Sequence, residues 1–476
     1  MHSGASPRLF PLALLILLPS CSSYTYLNKP ESAAHAPNQT RAAILPLQTE
    51  PPEPPDSLAD QPASPTRYDP RDDGAFVGIA LSGGGSRSAN FAAACMLHLQ
   101  DLGILSRADY ISSVSGGSIT AADYCLSDPA SADWSPDKVR KRFAYPFATE
   151  ALAQFLLLPW ESALTFFTDY DRSDILAEVF RRHLYSRHGH TLTFADLRPD
   201  RPHLIINATD LQTGGPFTFC NETFDALHSD LATYPMAHAV VASSAVPGAL
   251  HQVTLRDFSY VPPADKKDQK RYVHLLDGGI VDNLGLQALL DTYQARTRHA
   301  REHGLPDPFP RGAVIIAIDA MNHADPGLSH KGDAGFLESL LAGADVAATV
   351  LLSGAGSTTL EHTVVRNIQA DISVDQLRAQ IQQLETTGYL KFTGRDGRPI
   401  RLVHIALARV KDLPHPPSRE FNRAVNDVPT SFNISTSDRD NLYLAADLLM
   451  KQQFETKLEQ LVEELDETGN TSGADR

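Results

Sequence analysis

The chain has 476 residues, of which 42% are hydrophobic and 21% charged, and its formal net charge is -16. This is enough apolar material to bury the core of one large domain or two smaller ones. The acidic balance argues against a nucleic-acid-binding protein, which would present a basic face, and against tight electrostatic adhesion to anionic lipid. Any membrane attachment is therefore expected to come from a specific segment of the chain.

The chain contains four cysteines, Cys21, Cys95, Cys125 and Cys220. Their spacing fits neither a zinc site nor the dense disulfide framework of a small secreted domain. The last three lie among small or apolar residues, and free cysteine is among the most buried residue types. We therefore predict three buried free thiols and treat Cys21 with the N-terminal segment.

The N-terminus has the features of a secretory signal peptide over residues 1–20. Arg8 is followed by an apolar run from Leu9 to Leu18, which is too short to cross a bilayer. Leu18-Pro19-Ser20-Cys21 resembles the lipobox of bacterial lipoproteins. The resemblance implies cleavage before Cys21 and acylation of its thiol, hence a lipid-anchored protein of the bacterial cell envelope, and Ser22 favours the outer membrane. An ordinary signal peptide with an incidental cysteine is the alternative.

Residues 21–74 are rich in Pro, Ala, Gln and Glu, most clearly at Pro51-Pro52-Glu53-Pro54-Pro55. Such a composition buries too little apolar surface to fold and tends towards an extended, polyproline-like chain. We expect a disordered tether that joins the lipid anchor to a folded domain and is not itself part of the fold.

A glycine-rich loop follows the first predicted strand, Phe76–Leu81, and precedes a predicted helix from Ala89 to Leu105. A strand, a glycine loop and a helix start together point backbone N–H groups at an anion. A nucleotide-phosphate loop would carry a Lys before Ser or Thr, and Ser82-Gly83-Gly84-Gly85 does not. The loop therefore favours an oxyanion hole, with a flexible turn as the plain alternative.

The next predicted strand, Tyr110–Val114, leads directly into Ser115-Gly116-Gly117 and an apolar helix start. A serine at a sharp strand-to-helix turn, flanked by tiny residues, is typical of a nucleophile elbow, which exposes the serine oxygen at the end of the strand. The usual pattern has glycine two residues before the serine, and Ser113 stands at that position. A glycine turn without chemistry is the alternative.

An apolar, aromatic segment lies further on at residues 151–167 and includes Phe155–Trp160 and Leu164–Phe167. One interpretation is a lid or lipid-contacting surface over the substrate. The other is a set of core helices, since apolar runs are usually buried.

The rest of the chain alternates strands with helices. The apolar strand Val273–Leu276 ends at Asp277-Gly278-Gly279, and Ala313–Asp319 and Leu402–Ala408 are two further buried strands. Helices are predicted at 336–352, 375–387 and 442–465. This alternation predicts an α/β domain of three layers, with a mostly parallel central sheet flanked by helices.

Taken together, these motifs resemble the patatin-like phospholipases, here in the form of a bacterial lipoprotein. The glycine loop and the serine elbow are followed, in the family's order, by Asn207–Asp210, Ala242–Pro247 and Asp277-Gly278-Gly279. The resemblance spans roughly residues 76 to 325, and several ordered motifs are more specific than any single one. It implies a patatin-like hydrolase domain over residues 75–450, followed by a helix end and polar tail at 451–476.

The resemblance also implies a chemistry, in which Asp277 takes the proton of Ser115 directly. A carboxylate can do this if partial burial raises its basicity. Arg87 would either neutralise a substrate phosphate or brace the glycine loop. The implied oxyanion hole is made by three backbone amides, those of Gly83, Gly84 and Gly85.

The implied activity is hydrolysis of lipid acyl esters, of the phospholipase A or lysophospholipase type, on a membrane lipid or another fatty-acyl ester. The sequence contains no metal-ligand cluster, so no metal and no cofactor is implied. Two other functions stay open, a non-catalytic envelope scaffold that kept the fold and acyl transfer to an acceptor other than water. A Ser-Asp-His scheme also stays open, because several histidines follow Asp277, among them His299, His303, His323 and His362.

Overall fold

The structure, a computed structural model, describes residues 26–31, 74–157, 170–321 and 373–467. The helices are α1 (Gly85–Asp101), α2 (Gly116–Leu126), α3 (Pro136–Phe143), α4 (Phe147–Leu157), α5 (Arg172–His183), α6 (Asn221–Ala226), α7 (Met236–Ser243), α8 (Gly279–Asp282), α9 (Leu286–Glu302), α10 (Val374–Thr387), α11 (Arg419–Asn426), α12 (Thr436–Leu449) and α13 (Glu455–Glu467). The strands are β1 (Phe76–Leu81), β2 (Tyr110–Val114), β3 (Ser186–Arg187), β4 (His190–Thr191), β5 (His203–Asp210), β6 (Pro216–Phe219), β7 (Val253–Asp257), β8 (Arg271–Asp277), β9 (Ala313–Asp319), β10 (Tyr389–Thr393) and β11 (Pro399–Ala406). Among these residues, no helix is both long enough and apolar enough to cross a bilayer.

Nine of the strands form one sheet in the order β10-β11-β9-β1-β2-β5-β8-β7, with β6 also paired to β5. The run from β11 to β5 is parallel, and the pairing becomes antiparallel towards both ends. The central strands β1 and β9 are buried along their whole length. Continuous apolar strands of this kind are typical of a parallel sheet that is covered on both faces.

Helices cover both faces of the sheet. On one face, Phe91 of α1 and Leu449 of α12 belong to the larger apolar core. On the other, Leu289 and Tyr293 of α9 pack with Phe76 in a second core. The predicted three-layer α/β fold with a mostly parallel central sheet is confirmed.

The pairing around β5 brings two strand ends together. Because β6 occupies one side of β5, β2 and β8 both lie along the other side. β2 runs parallel to β5 and ends with Val114 opposite Asn207, whereas β8 runs antiparallel and ends with Asp277 opposite Ala208. The carboxyl ends of β2 and β8 therefore meet head to head at the middle of β5.

Residues 26–31 pack against the domain, so the predicted tether over residues 21–74 does not hold for this stretch. Asn28 is buried, and its side chain bonds to both backbone groups of Arg256, accepting from the N–H at 2.8 Å and donating to the carbonyl at 2.9 Å. β7 is the outermost strand, and Asn28 satisfies backbone groups that the sheet leaves unpaired there. Leu27 also packs against the main apolar core, but two apolar residues in a stretch of six are too few to show a hydrophobic pattern from which this docking could be predicted.

Several further expectations are tested by the fold. α1 begins at Gly85 rather than at Ala89, and Gly85 itself has a left-handed φ of 57° that glycine allows. Cys95, Cys125 and Cys220 are buried free thiols, as predicted. Cys21, the signal peptide and the helix predicted at 336–352 lie outside the described residues.

Candidate active site

Ser115 occupies a strained turn between β2 and α2. Its φ of 50° and ψ of -122° are uncommon for a residue with a side chain, and such strain is characteristic of a nucleophile elbow. Gly116 is required next, because a Cβ at this position would collide with the backbone of Gly85. The turn therefore holds the serine and the glycine loop against each other.

Asp277 ends β8 and is fully buried. Its Oδ1 accepts a hydrogen bond from the Gly279 N–H at 2.7 Å, whereas Oδ2 has no hydrogen-bond partner among the described residues. Burial raises the pKa of Asp277 to about 7, and the Gly279 amide and the Ser115 hydroxyl each oppose that rise. A carboxyl group with a near-neutral pKa and an unengaged oxygen is suited to accept a proton.

The structure brings the predicted pair, Ser115 and Asp277, together. The serine hydroxyl is close enough to lower the pKa of the carboxyl, although it does not form a hydrogen bond of ordinary geometry to Oδ2. Catalytic hydrogen bonds are often long in the absence of substrate. The proximity follows from the fold, because Val114 and Asp277 lie opposite adjacent residues of β5.

Ser243, at the end of α7, links the two strand ends and was not singled out from the sequence. Its hydroxyl accepts the Ser115 amide N–H at 2.8 Å and donates to the Asn207 carbonyl at 2.6 Å. Its own carbonyl accepts the N–H of Gly278, the residue after Asp277, at 3.2 Å. The small residues of Ala242–Pro247 indicate a tight segment, but they do not show which hydroxyl makes these bonds.

The glycine loop differs from the prediction in one respect. The Gly83 N–H donates to the carbonyl of Asn283 at 3.0 Å, so this amide is already used and the predicted role of Gly83 as an oxyanion donor is corrected. The N–H groups of Gly84 and Gly85 have no hydrogen-bond partner among the described residues. They stand at the N-terminus of the 17-residue helix α1, which favours negative charge. Gly84 and Gly85 are therefore the candidate oxyanion donors.

Arg87 is buried and donates to two backbone carbonyls. Its Nε bonds to the oxygen of Ala320 at 2.8 Å and its Nη1 to that of Val428 at 3.0 Å. The neighbouring Ser86 N–H donates to the carbonyl of Ser431 at 2.6 Å. Two segments that are distant in sequence are thus tied to the start of α1, and the geometry favours the bracing role of Arg87 over phosphate binding.

Ser113, which stands in place of the usual glycine, is accommodated within the sheet. Its side chain is buried, and its hydroxyl donates to the Ile205 carbonyl of β5 at 3.2 Å. The extra atoms thus fill space between β2 and β5, and the Ser115 turn keeps its elbow conformation.

Of the four candidate histidines that follow Asp277, the structure describes His299 and His303 and places both away from the dyad. α9 starts beside the dyad, because a Cβ on Gly285 would touch the side chains of Ser112 and Asn207. His299 lies near the far end of that helix, roughly 20 Å along its axis, with the ring of His303 4.0 Å away. His323 and His362 lie outside the described residues. The residues that the structure describes hold no cluster of His, Cys, Asp and Glu able to bind a metal ion.

The apolar segment at 151–167 is described in part. Its first residues belong to α4, which begins with the buried Phe147 packed edge-to-face on Phe180 of α5 at 5.2 Å. Phe147 precedes the predicted segment, whose described residues Ala151 and Phe155 are only half-buried. Residues 158–167, on which the lid hypothesis depends, lie outside the described residues.

Comparison with known proteins places this site in context. Residues 79–290 match the profile of the family described as Patatin-like phospholipase. No curated protein sequence matches the chain. Among solved structures, the chain is similar to human GIVD cytosolic phospholipase A2, with 14% identity and a TM-score of 0.48, over 83% of this chain and 61% of that one. It is also similar to VipD from Legionella pneumophila, with 13% identity and a TM-score of 0.27, over 79% of this chain and 66% of that one. The chain thus spans less than two thirds of either protein.

Proposed function

We propose that this chain is a lipid acyl hydrolase with Ser115 as nucleophile and Asp277 as base, since residues 79–290 match the patatin-like phospholipase family. One observation carries the proposal. The fully buried carboxyl of Asp277, with a pKa of about 7 and an oxygen unpartnered among the described residues, lies beside the hydroxyl of a serine in a nucleophile elbow. The proposed substrate is a membrane lipid or another fatty-acyl ester.

The first half of the reaction forms an acyl-enzyme. The Oγ of Ser115 attacks the ester carbonyl carbon while Oδ2 of Asp277 takes the hydroxyl proton. The N–H groups of Gly84 and Gly85 stabilise the negative charge that develops on the carbonyl oxygen. When the tetrahedral intermediate collapses, the ester C–O bond breaks and Asp277 returns the proton to the departing alcohol.

The second half releases the fatty acid. A water molecule attacks the acyl carbon while Asp277 accepts one of its protons. Collapse of the second tetrahedral intermediate breaks the bond to Ser115, whose oxygen regains the proton from Asp277. A carboxylate thus does the work that histidine does in a Ser-His-Asp triad.

Labelling with an alkyl fluorophosphonate tests the dyad. We expect a covalent adduct on Ser115 in the wild-type chain, no adduct in Ser115→Ala, and strongly slowed labelling in Asp277→Asn. Ser113→Gly, which restores the usual elbow pattern, is the matched control and should label normally. A folded wild-type chain without an adduct on Ser115 would overturn the enzymatic proposal in favour of a scaffold.

Two histidine variants decide between the dyad and a triad. Ester turnover by His323→Ala and His362→Ala should stay close to wild type. A loss in either folded variant as large as that in Ser115→Ala would contradict the two-residue mechanism. The outcome does not depend on which ester is used, so a soluble short-chain ester is sufficient.

We further propose that the chain is anchored to the bacterial cell envelope, at the outer membrane, through an acylated Cys21. The support is the apolar run Leu9–Leu18 followed by Leu18-Pro19-Ser20-Cys21. Mass spectrometry of the N-terminal peptide tests this. A mature chain that begins at Cys21 and carries acyl groups is expected, and an unmodified cysteine would contradict it.

A further inference from the structure

The tip of the β7–β8 hairpin projects from the same edge of the sheet as the candidate active site. β8 runs antiparallel to β5 and descends towards the site, so its first residue, Arg271, lies beyond the carboxyl edge of the parallel strands. An extended strand rises about 3.3 Å per residue, so Arg271 stands roughly 20 Å beyond Asp277. The residues that connect β7 to β8 therefore stand out above the dyad.

This projecting tip presents apolar and cationic side chains to solvent. Val261 is 85% exposed, and Lys266, Lys267 and Lys270 are exposed as well. Leu211, 51% exposed, lies beside β8 on the turn between β5 and β6. We call these five residues the hairpin surface. Large exposed apolar side chains are uncommon in the described chain, and two of them lie at this edge.

The local charge of the hairpin surface is opposite to that of the whole chain. Its three lysines form no ion pair with any described residue. They outnumber the two carboxylates of the same loop, Asp265 and Asp268. Arg271, by contrast, is held in an ion pair with Asp257. In a chain of net charge -16, a surface with a cationic excess is the part that an anionic interface attracts.

The N-terminal segment leads towards the same surface. Tyr26 packs on Phe258 and Tyr272, at the base of the hairpin tip, with ring centroids 6.1 and 5.8 Å apart. Towards the C-terminus, the segment leaves the hairpin and reaches Pro30, which pairs with Ser229. Towards the N-terminus, it therefore approaches the tip of the hairpin. Position 21 is five Cα-to-Cα steps before Tyr26, which limits the reach from Tyr26 to about 18 Å.

We propose that the hairpin surface is a docking surface for an anionic lipid bilayer and that it turns the candidate active site towards that bilayer. Apolar side chains enter the interface while lysines meet lipid phosphates, a combination that binds membranes reversibly. The acidic remainder of the domain is repelled by the same charge. This inference deepens the proposed function and rests on it, because it takes the substrate to be a lipid in that bilayer.

Site-specific labelling tests the orientation without any need for turnover. A polarity-sensitive fluorophore is attached to Val261→Cys or to Leu305→Cys, each in a Ser115→Ala chain, and phosphatidylglycerol vesicles are added. Leu305 is the matched control, since it is 52% exposed but precedes β9 at the opposite edge of the sheet. The native cysteines of the described residues are buried, and a chain without either added cysteine gives the background.

We expect the fluorophore at position 261 to shift to the blue, gain intensity at least twofold and be quenched by brominated acyl chains, while the fluorophore at 305 stays unchanged. Equal responses at the two positions, or none at 261, would overturn the docking proposal. No response at position 261 would indicate that the hairpin surface binds a protein partner instead of a bilayer.

Charge reversal separates this proposal from the proposed function. Lys266→Glu/Lys267→Glu should lower the initial rate on phosphatidylglycerol vesicles several-fold and leave the rate on a soluble short-chain ester unchanged. Lys391→Glu/Lys411→Glu, with the same charge change elsewhere, should behave as wild type on both. A wild-type chain inactive on both substrates fails the proposed function, whereas equal vesicle rates for wild type and the hairpin variant fail the docking surface alone.

Discussion

Asp277 is the residue whose protonation decides whether the candidate site can act as a base. Because its pKa is raised to about 7, the carboxyl is largely protonated at pH 5 and ionised at pH 9. We expect kcat/KM on a soluble ester to rise with pH through about 7 and then to level off. Asp277→Asn should lose activity at every pH. A flat profile between pH 6 and 8, with activity dependent on Asp277, would contradict this assignment.

The same shift predicts that Asp277 destabilises the fold at high pH. Its folded pKa lies above its ordinary value of 3.8, so its stabilising contribution is full below 3.8 and is lost as the pH rises through about 7. Asp277→Asn removes this loss and should raise the free energy of unfolding at pH 8 by about 1–4 kcal/mol, with little change at pH 4. Urea unfolding at the two pH values measures the difference. Equal effects at both pH values would contradict it.

Ser243 is a positioning residue, since it bonds to the backbone of Ser115 and of Gly278, the residue after Asp277, and to neither reacting atom. Ser243→Ala leaves the Ser115 N–H without its acceptor and should lower kcat by roughly 10- to 100-fold with little change in KM. Ser244→Ala is the matched control, because that buried hydroxyl, just after α7, bonds among the described residues only to the carbonyl of Val240 in α7, at 2.8 Å. Both variants should lose about 1–2 kcal/mol of stability. Equal kcat values in the two would show that the role of Ser243 is only structural.

Among the elements, α1 and α2 approach each other so closely at their first residues, Gly85 and Gly116, that no side chain fits at position 116. Gly116→Ala would drive a Cβ into the Gly85 backbone and separate the elbow from the oxyanion donors. We expect a loss of about 1–3 kcal/mol in stability and a loss of kcat of more than 10-fold. Gly215→Ala, in the turn between β5 and β6, is the control, because its Cβ meets only a threonine side chain. Wild-type kcat in Gly116→Ala would contradict this account of the turn.

The elements around the site could be predicted because each carries a local signal. β1 and β9 are almost wholly apolar and β2 is a short run that contains two serines, and the observed bounds of all three coincide with the predicted ones. Ser115 directly follows β2 and Asp277 ends β8, so their motifs gave their position as well as their identity. Even so, the sequence did not show how two strands of opposite direction bring their ends together, because the register on β5 depends on contacts between residues far apart in the chain.

The remaining features depend on hydrogen bonds that leave no pattern in the sequence. Three consecutive glycines are equivalent in composition, yet Gly83 donates to Asn283, 200 residues further on, and only Gly84 and Gly85 keep unengaged amides among the described residues. Arg87 is similar, since two carbonyls decide its bracing role. Residue type limits what such groups can do, and the fold decides which partner each one finds.

The whole molecule is organised around one edge of the sheet. The dyad, the oxyanion donors and the hairpin surface all lie at the carboxyl edge of the parallel strands. In open α/β sheets, the loops that leave this edge form the binding crevice. The local cationic excess of the hairpin surface also explains why net charge alone is a poor guide to membrane contact, because -16 is the sum over the whole chain.

The domain also extends further towards the N-terminus than its composition suggests, and its stability should depend on this. Without residues 26–31, the backbone groups of Arg256 on β7 lose the Asn28 side chain, and the Ser229 hydroxyl loses the Lys29 carbonyl, which it now bonds at 2.8 Å. Water replaces these partners on the uncovered edge strand, so each lost hydrogen bond costs about 0.5–1.5 kcal/mol. A chain that starts at residue 32 should therefore melt a few degrees lower than one that starts at residue 26. Asn28→Ala in the longer chain should reproduce most of the loss, and Lys29→Ala, which keeps its backbone carbonyl, should reproduce little. Equal melting temperatures for the two chain lengths would show that residues 26–31 do not stabilise the domain and belong to the predicted tether.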